Sequence, residues 1–382
     1  MTTVTAAQEP ARWRLNADGR AFAQYMQSGT LAGTRAFGSA NWFMADLRRE
    51  SGDHRFVVAG MVSAEPLTLG ECGYPRLLTP GFLCFDNVLE DRQHTHPLVM
   101  GLSASYERVL SESSQAHVQA SLVGEPAFGP APYFHRASAQ FDPIAPLTND
   151  LLNPAHTAYG VVTAGATIGQ IAWQASVFNG AARDHNPYDF DIAPLHSYAT
   201  RAALFLSDRT RVQASVADFQ PAGAGSAHHG HGGGRMRAWS ASLEHQVSGA
   251  ERTGALTIAW AAHHAGGETA HSGLLEGQVT RARHTMFGRL EMVERIELEA
   301  TFVDLPDGTH QHIVTPRRFW VGEVNGGYAH RLISRFGLDA SLGARASMNS
   351  IPAYISPRYN ADLGFGFAVF ALIARSGTEH HH

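Results

Sequence analysis

Histidine and acidic side chains gather in four segments that have the ligand types of a metal site. They are Asp91-Arg-Gln-His-Thr-His96, then Gly124-Glu-Pro-Ala-Phe-Gly-Pro130 continuing to Phe134-His-Arg136, then Asn153-Pro-Ala-His-Thr157, and last Arg183-Asp-His-Asn-Pro-Tyr-Asp189. Residues two apart in an extended segment point to the same side, so His94 and His96 could share a face. Imidazole and carboxylate groups bind Cu(II), Ni(II) and Zn(II). The candidate ligands from all four segments are Asp91, His94, His96, His135, His156, Asp184 and His185.

A structural role is the alternative for the same residues. Long loops that fold back into the interior of a protein bury backbone groups, which need polar partners. The histidines and acids could supply those partners through hydrogen bonds and ion pairs. A further tract, Ala227-His-His-Gly-His-Gly-Gly-Gly234, could bind metal ions weakly. It could equally be a mobile surface loop without a defined site.

Sequence motifs of catalysis are absent. The chain has no Gly-x-Ser-x-Gly nucleophile turn, no His-Glu-x-x-His zinc motif and no phosphate-binding glycine loop. A lipid hydrolase that uses His117 or His245 with nearby serines is a distant alternative. We therefore expect no enzymatic activity.

Alternating apolar and polar residues recur along most of the chain in stretches of roughly ten. Examples are Val212–Val216, Leu256–Trp260 and Leu338–Leu342. This pattern is typical of transmembrane β-strands, whose side chains point in turn to lipid and to the lumen. It predicts an all-β fold with strands near 19–28, 35–48, 55–64, 98–110, 115–123, 156–168, 170–181, 197–207, 210–220, 234–248, 252–264, 271–282, 285–300, 317–334, 336–349 and 360–375. The prediction is a single antiparallel transmembrane β-barrel of about 16 strands, with 14 as the alternative.

Composition agrees with a membrane barrel. Charged residues make up 16% of the chain and hydrophobic residues 44%, whereas soluble domains have about 25% charged residues. The longest apolar run, 365–374, is too short for a membrane helix of about 20 residues. All 29 basic residues are arginine and the net charge is −5, which argues against a nucleic-acid surface.

The connections between the predicted strands alternate between short and long. Short ones include Gly169 and Asp208-Arg209, and long ones include 65–97, 124–155 and 221–233. This asymmetry is typical of outer-membrane barrels with short periplasmic turns and long structured extracellular loops. It predicts a bacterial outer-membrane location with both termini in the periplasm. Alternation then predicts which charged side chains line the lumen: Arg289, Glu291, Glu323, Asp339 and Arg345.

The ends of the chain and its two cysteines complete the organisation. We expect an N-terminal periplasmic extension over 1–18, the barrel over 19–375, and a linker with the remnant of a purification tag over 376–382. The start lacks the charged-then-apolar pattern of a signal peptide, so we interpret the chain as a mature exported protein. Cys72 and Cys84 lie in one long loop and are expected to form a disulfide there, with two free thiols as the alternative.

Aromatic residues near the predicted strand ends suit the girdles that barrels place at membrane interfaces. They are Trp42, Phe319, Trp320 and Tyr359. The last strand has Leu363, Phe365, Phe367 and Val369 on one face, as expected for the C-terminal strand of an outer-membrane protein.

Three of the segments resemble, in the same order, those of an uncharacterised family of proteobacterial outer-membrane barrel proteins. Genes of that family are often found near copper or heavy-metal resistance genes. The shared pattern is DRQH-x-H at 91–96, GEPAFGP at 124–130 with His135-Arg136 after it, and His156-Thr-Ala-Tyr-Gly-Val-Val-Thr163. The resemblance covers roughly residues 20–220 and implies the barrel fold and the outer-membrane location.

Together these features predict a porin-like channel for passive diffusion of small solutes or ions, with a link to metal handling by resemblance. The alternative is a surface binding or structural barrel, plugged by its loops, with a histidine-rich metal-binding mouth. No cofactor is expected apart from Cu, Zn or Ni at that mouth. The expected partners are outer-membrane lipid, lipopolysaccharide, the barrel assembly machinery and the solutes themselves.

Overall fold

The alternating segments form long antiparallel strands in the computed structural model. The structure describes residues 12–29, 34–80, 82–84, 87–180, 186–220, 235–249, 251–295, 300–304, 310–314 and 318–376. The strands are β1 (Trp13–Gly29), β2 (Thr34–Gly38), β3 (Asn41–Ser51), β4 (His54–Val62), β5 (Tyr74–Pro75), β6 (Phe82–Cys84), β7 (Asn87–Leu89), β8 (Arg92–Gln93), β9 (Val99–Ser111), β10 (Ser114–Gly124), β11 (Ala158–Ile168), β12 (Ile171–Phe178), β13 (Ser197–Ser207), β14 (Thr210–Phe219), β15 (Met236–Ser248), β16 (Arg252–Ala265), β17 (Glu268–Arg281), β18 (His284–Arg295), β19 (Ala300–Asp304), β20 (His310–Val314), β21 (Phe319–Arg335), β22 (Leu338–Ser350) and β23 (Leu363–Arg375). The helices are α1 (Glu65–Leu69), α2 (Asn149–Leu152) and α3 (Ser356–Tyr359).

Pairing of the first and last strands closes the barrel. β1 pairs with β23 from Arg20↔Ala374 to Gly29↔Phe365. On its other side, β1 pairs with β3 near its start and with β2 near its end. β2 and β3 are therefore one barrel strand with an interruption at 39–40, so the 17 strands of this sheet give a closed barrel of 16. Closure leaves no sheet edge whose backbone groups would lack partners in hydrocarbon.

This architecture confirms the all-β barrel and its 16 strands, and the alternative of 14 is wrong. The prediction was least accurate at the start of the chain. β1 begins at Trp13, well before the predicted position near 19. The second predicted strand is interrupted at 39–40. At this point Phe22 N of β1 donates to Ala40 O at 2.8 Å, and this hydrogen bond keeps the pairing with β1 continuous.

The outer face of the barrel is apolar, as the last strand illustrates. Leu363, Phe365, Phe367 and Val369 are all exposed, whereas the residues between them are more enclosed. Side chains on one side of a strand share a face, so this exposed row is the lipid-facing side. The predicted apolar face of β23 is confirmed.

Only one of the aromatic residues predicted for the girdles faces outward. Trp320 is exposed, whereas Trp42 and Phe319 are buried inside the barrel. Tyr359 belongs to α3 and its hydroxyl donates to Asp91 Oδ1 at 3.1 Å. The girdle assignment of Trp42, Phe319 and Tyr359 is therefore wrong, because the lumen holds enough loop structure to bury aromatic side chains.

The connections differ in length at the two ends of the barrel. At the short-turn end, strands join within a few residues, as between Ser51 and His54 or Ile168 and Ile171. At the long-loop end lie the disulfide loop, residues 63–98, and the inner loop, residues 125–157. Cys72 and Cys84 form a disulfide in the first of these, with Cα atoms 5.5 Å apart, which confirms that prediction.

No helix among the described residues is long and apolar enough to cross a membrane. The predicted division into 1–18, 19–375 and 376–382 stays a prediction, and residues 1–11 and 377–382 lie outside the described residues. The same holds for the histidine-rich tract at 227–234.

Candidate functional site

The inner loop crosses the lumen and contacts the barrel wall on several sides. Gly129 N donates to Ser215 Oγ of β14 at 2.9 Å, and Ser138 Oγ lies 2.7 Å from Thr257 Oγ1 of β16. Toward β1, the Arg20 guanidinium donates to Gln140 O. The loop is thus held across the interior of the barrel rather than above its mouth.

A glycine fixes the path of this loop where it turns. Gly129 has a φ of 71°, in the left-handed region that side chains rarely adopt. A Cβ at this position would lie 2.1 Å from Leu152 O. Any other residue would push the start of the loop away from α2, so Gly129 is required for the loop to double back on itself.

Buried ion pairs anchor the inner loop to the wall. Arg136 Nε lies 3.0 Å from Glu276 Oε1 of β17. On the other carboxylate oxygen, Arg289 Nε of β18 lies 2.7 Å from Glu276 Oε2. Arg289 also contacts Asp142 of the loop, with Nη1 3.3 Å from Oδ2. One wall carboxylate therefore holds two arginines, and one of these belongs to the loop.

A second set of buried ion pairs anchors the disulfide loop. Arg76 Nη2 lies 3.1 Å from Glu291 Oε1 of β18, and Nη1 contacts Glu323 Oε2 of β21. Arg345 of β22 also binds Glu323, with Nη2 2.8 Å from Oε1. Burial lowers the pKa of Arg76, but the two carboxylates outweigh that effect and hold it above its ordinary value. Arg76 therefore stays charged inside the barrel.

The two sets are continuous and balanced in charge. Arg345 Nε lies 3.3 Å from Asp142 Oδ1, which joins the disulfide-loop pairs to the inner-loop pairs. Four arginines face four carboxylates in this ion-pair cluster: Arg76, Arg136, Arg289 and Arg345 with Asp142, Glu276, Glu291 and Glu323. Removing one member of a buried pair costs about 3–5 kcal/mol, because the remaining charge is left without compensation. The cluster thus fixes both loops within the lumen.

Apolar side chains fill the lumen toward the long-loop end. Leu147, Leu151 and Leu152 of the inner loop pack in one buried cluster with Leu77 and Leu78 of the disulfide loop. The wall and the last long loop contribute the other members: Ala259, Ala261, Ala270, Leu274, Val293, Phe319, Val321, Ile351 and Ile355. Burial of apolar surface is favourable by about 25 cal/mol per Å². This half of the interior is packed like a protein core.

Three of the predicted metal ligands lie together beside the loops. The rings of His96 and His156 have centroids 5.5 Å apart, and those of His94 and His156 are 6.4 Å apart. His96 is also bonded to Glu65 of α1, with Nδ1 2.9 Å from Oε2. His135 packs against Trp42, with ring centroids 4.7 Å apart. These contacts pack the loops against each other and against β3.

Asp91 has different neighbours. Its carboxylate accepts hydrogen bonds from Leu78 N at 2.7 Å and from the Tyr359 hydroxyl at 3.1 Å. Burial raises the pKa of Asp91, and these two hydrogen bonds partly offset the rise. His185 and Asp184 lie outside the described residues. No group of three or more His, Cys, Asp or Glu side chains in the described part of the chain is arranged to hold a metal ion.

The structure brings four of the predicted lumen charges into one cluster. Arg289, Glu291, Glu323 and Arg345 are all buried members of the ion-pair cluster. Asp339 is not a member, because it lies near the short-turn end and binds Arg331, with Oδ2 3.1 Å from Nη1.

The other members of the ion-pair cluster are Arg76, Arg136, Asp142 and Glu276, and the sequence did not predict them as charges that line the lumen. Glu276 could have been found, because alternation in β17 places it on the face opposite the exposed Leu275. Arg76 and Asp142 lie in loops without any periodic pattern, so no signal in the sequence marked them.

A water-accessible cavity occupies the short-turn half of the barrel. This vestibule has a volume of about 980 Å³ and is bounded toward the interior by Ala137, Gln140 and Phe141 of the inner loop. Its charged lining residues are Asp18, Arg20, Asp46, Arg48, Arg283, Arg331, Asp339 and Arg375. The vestibule therefore ends where the packed loops begin.

Comparison with known proteins gives the fold. No protein-family model matches the chain, and none of the curated proteins matches it. The resemblance to a metal-resistance-associated family gains no support from these comparisons and stays a prediction.

Solved structures of outer-membrane proteins do match. A loop-deletion variant of OmpT from Vibrio cholerae aligns with a TM-score of 0.53 at 8% identity, over 95% of this chain and 99% of that chain. OmpF of Salmonella typhi, in complex with daunomycin, gives 0.53 at 10% identity over 94% and 97%. An anion-selective porin from Comamonas acidovorans gives 0.51 at 8% identity over 95% and 99%. The chain has the fold of porins, and this closed barrel with its apolar outer face places it in the bacterial outer membrane.

Proposed function

We propose that the protein is a porin-like channel through which small polar solutes or ions diffuse passively across the outer membrane. The observation that carries this proposal is the vestibule of about 980 Å³ inside a closed barrel of porin fold. Its polar and charged lining suits hydrated solutes, because ions in a water-filled chamber keep their hydration. The short-turn end, which we place in the periplasm, is the open end of this path.

The inner loop and the disulfide loop set the width of the path. Both are buried against the wall by the ion-pair cluster and by the apolar cluster around Leu152. A solute that passes from the vestibule to the long-loop end must pass these loops. We therefore expect a small unitary conductance, one that rises when the loops are released.

Conductance of the purified, folded protein in planar lipid bilayers tests this proposal. Discrete current steps for the wild type, and larger steps for a variant such as Glu276→Gln that frees the inner loop, are the expected results. A matched change at the exposed Glu251, Glu251→Gln, should leave the step size unchanged. Silence of both the wild type and the loop-released variant would remove the channel proposal.

The second candidate is a binding or structural barrel whose loops plug the lumen permanently. The apolar cluster favours it, because side chains packed at core density leave no room for water. It predicts no conductance for the wild type but a folded barrel with the usual resistance to heat and detergent. The bilayer recordings therefore separate the two candidates.

A metal role for the loop histidines stays a prediction. Titration of the protein with Cu(II), Zn(II) and Ni(II), compared with the variant His94→Ala/His96→Ala, tests it. Loss of a binding equivalent in the variant would support the site, and unchanged stoichiometry and affinity would remove it. We propose outer-membrane lipid and lipopolysaccharide as the neighbours of the apolar outer face, and insertion by the barrel assembly machinery.

A further inference from the structure

The charges that line the vestibule are not balanced. Five arginines and three aspartates give it a net charge of +2, although the whole chain carries −5. The ion-pair cluster farther inside is neutral, so it does not cancel this excess. The vestibule is therefore a positively charged compartment in an otherwise acidic protein.

Two of the three aspartates are occupied by neighbours on the wall. Asp46 accepts from Arg48 Nε at 2.7 Å and from Asn16 at 3.0 Å. Asp339 accepts from Arg331 at 3.1 Å and from the Ser376 hydroxyl at 2.7 Å. These local pairs use two of the five arginines and two of the three aspartates. The excess positive charge therefore resides in the other three arginines, which face a single aspartate.

Arg283 is one source of the excess. It lies in the turn between β17 and β18, its side chain is exposed to the vestibule, and its guanidinium makes no hydrogen bond or ion pair with the described residues. Guanidinium groups bind carboxylates and phosphates in a two-pronged geometry. Arg283 is therefore available to an anion that enters from the short-turn end.

Arg20 is the second source, at the inner end of the vestibule. It is 7% exposed, its guanidinium donates to Gln140 O, and it lies 5.9 Å from the centre of the Phe141 ring. Its Nε is buried and has no hydrogen-bond partner among the described residues. A buried donor without a partner costs free energy, and an oxyanion at this position would satisfy it.

Three neighbouring strands contribute no charged side chain to the described lining of the vestibule. Gln246, Thr253, Gln278 and Thr280 of β15, β16 and β17 line their side of the vestibule. The charged residues instead lie on β1, β3, β21, β22 and β23 and in the β17–β18 turn, which are neighbours in the sheet. The three aspartates lie on this charged side too, so the net charge of +2 is concentrated on one side of the chamber.

We propose that the vestibule is an anion-binding chamber, so that the channel passes small anions in preference to cations, with Arg20 receiving an oxyanion at the inner end. This inference rests on the proposed channel function. A compartment lined by one sign of charge concentrates counter-ions and raises their rate of entry. Rings of arginine select anions in pores for the same reason.

Reversal potentials under a KCl gradient test the selectivity. We expect the wild type to pass chloride better than potassium, and Arg283→Gln or Arg20→Gln to lower that permeability ratio by about twofold or more. Arg281→Gln is the matched control, because Arg281 is exposed, points away from the vestibule and lies 3.8 Å from Glu251. A channel that conducts but prefers potassium, or whose ratio is unchanged in both variants, would overturn this inference and leave the channel function intact.

Calorimetric titration of the detergent-solubilised barrel with inorganic phosphate tests the chamber separately from conduction. We expect phosphate to bind the wild type, Arg20→Gln and Arg283→Gln to weaken binding several-fold, and Arg281→Gln to have no effect. Arg283→Gln guards against a loss of fold in Arg20→Gln, since Arg283 holds no loop. Absence of phosphate binding would overturn the inference even where the wild type conducts, and binding to a silent barrel would support the chamber while removing the channel.

Discussion

The two halves of the lumen share one wall but differ in what fills them. At the long-loop end, the inner loop and the disulfide loop pack into an apolar cluster and a neutral ion-pair cluster. At the short-turn end, the same strands enclose a vestibule of about 980 Å³ with a net charge of +2. Protein side chains therefore fill the long-loop half, whereas the short-turn half is open to water.

The comparison explains why charges behave differently in the two halves. Buried charges must be paired, because an unpaired ion in a low-dielectric interior is very costly. In the vestibule, water solvates an unpaired side chain such as Arg283, so the excess can persist there and act on solutes. The loops thus convert one end of a uniform barrel into a core and leave the other end open to water.

The largest expected effect comes from breaking the ion-pair cluster. Glu276→Gln leaves Arg136 and Arg289 buried without their shared carboxylate, so the free energy that holds the inner loop should fall by about 3–5 kcal/mol. Trypsin cleavage after Arg136 measures this, and the variant should be cut much faster than the wild type. The exposed control Glu251→Gln should be cut at the wild-type rate. Equal resistance of Glu276→Gln would mean that the apolar cluster alone holds the loop.

A smaller effect is expected from the apolar cluster. Leu152 is fully buried, and Leu152→Ala removes its packing and leaves a cavity, at a cost of about 3 kcal/mol. Hydrogen exchange of the inner-loop amides, followed by mass spectrometry, should accelerate in the variant. Leu67→Ala in α1 is the control, because Leu67 is exposed. If both variants exchange at the same rate, the long-loop half is not packed as a core.

The disulfide should contribute somewhat less. Cys72 and Cys84 are 12 residues apart, and closing a loop of about that length stabilises by roughly 2–3 kcal/mol. Cys72→Ser/Cys84→Ser should increase amide exchange in the disulfide loop, and leave ion selectivity unchanged because the vestibule is at the other end. These are the only two cysteines of the chain, so a reductant should reproduce the effect in the wild type and do nothing to the variant. A changed selectivity would contradict the separation of the two halves.

The smallest effect is expected from pH acting on Glu125, at the start of the inner loop. Burial raises the pKa of Glu125 to about 7, although the nearby Arg201 guanidinium opposes the rise. The ordinary value is 4.5, so the folded loop binds the proton more tightly than the released loop. Its stabilisation is complete below pH 4.5 and is lost as the pH rises toward 7. The loop-opening equilibrium should change by at most about tenfold per pH unit, because a single carboxyl group exchanges at most one proton.

Amide exchange of the inner loop, corrected for intrinsic rates and measured across this pH range, tests the direction. Glu125→Gln should remove the pH dependence and leave the exchange near the low-pH rate of the wild type. An inner loop that instead becomes more protected as the pH rises would show that Glu125 is charged in the folded state.

Much of the barrel could be predicted from the sequence because its strands are determined locally. The strand predicted at 197–207 is Ser197–Ser207, and the others agree within a few residues apart from those at the N-terminal end. A membrane barrel permits this, since each strand must alternate between lipid and lumen along its whole length. The break between β2 and β3 could not be predicted, because it depends on pairing with β1.

The candidate site could be predicted only in part. Alternation puts Arg289, Glu291, Glu323 and Arg345 on the side of their strands that faces the lumen, because strand periodicity alone fixes the face of a residue. It did not separate them from Asp339, whose neighbours depend on position along the barrel axis. The sequence grouped Asp91 with the histidines as candidate ligands. The structure places His94 and His96 near His156, but Asp91 has other partners.

The sequence by itself determined the closed barrel, a count of about 16 strands and the apolar outer face, since these follow from alternation and from the need to pair every backbone group in lipid. Only the tertiary structure decided what the barrel contains. Arg76 meets Glu323 across a separation of 247 residues, and no local pattern encodes such a contact. The path of the inner loop depends on many such contacts at once. They divide the lumen into a packed half and an open, positively charged one.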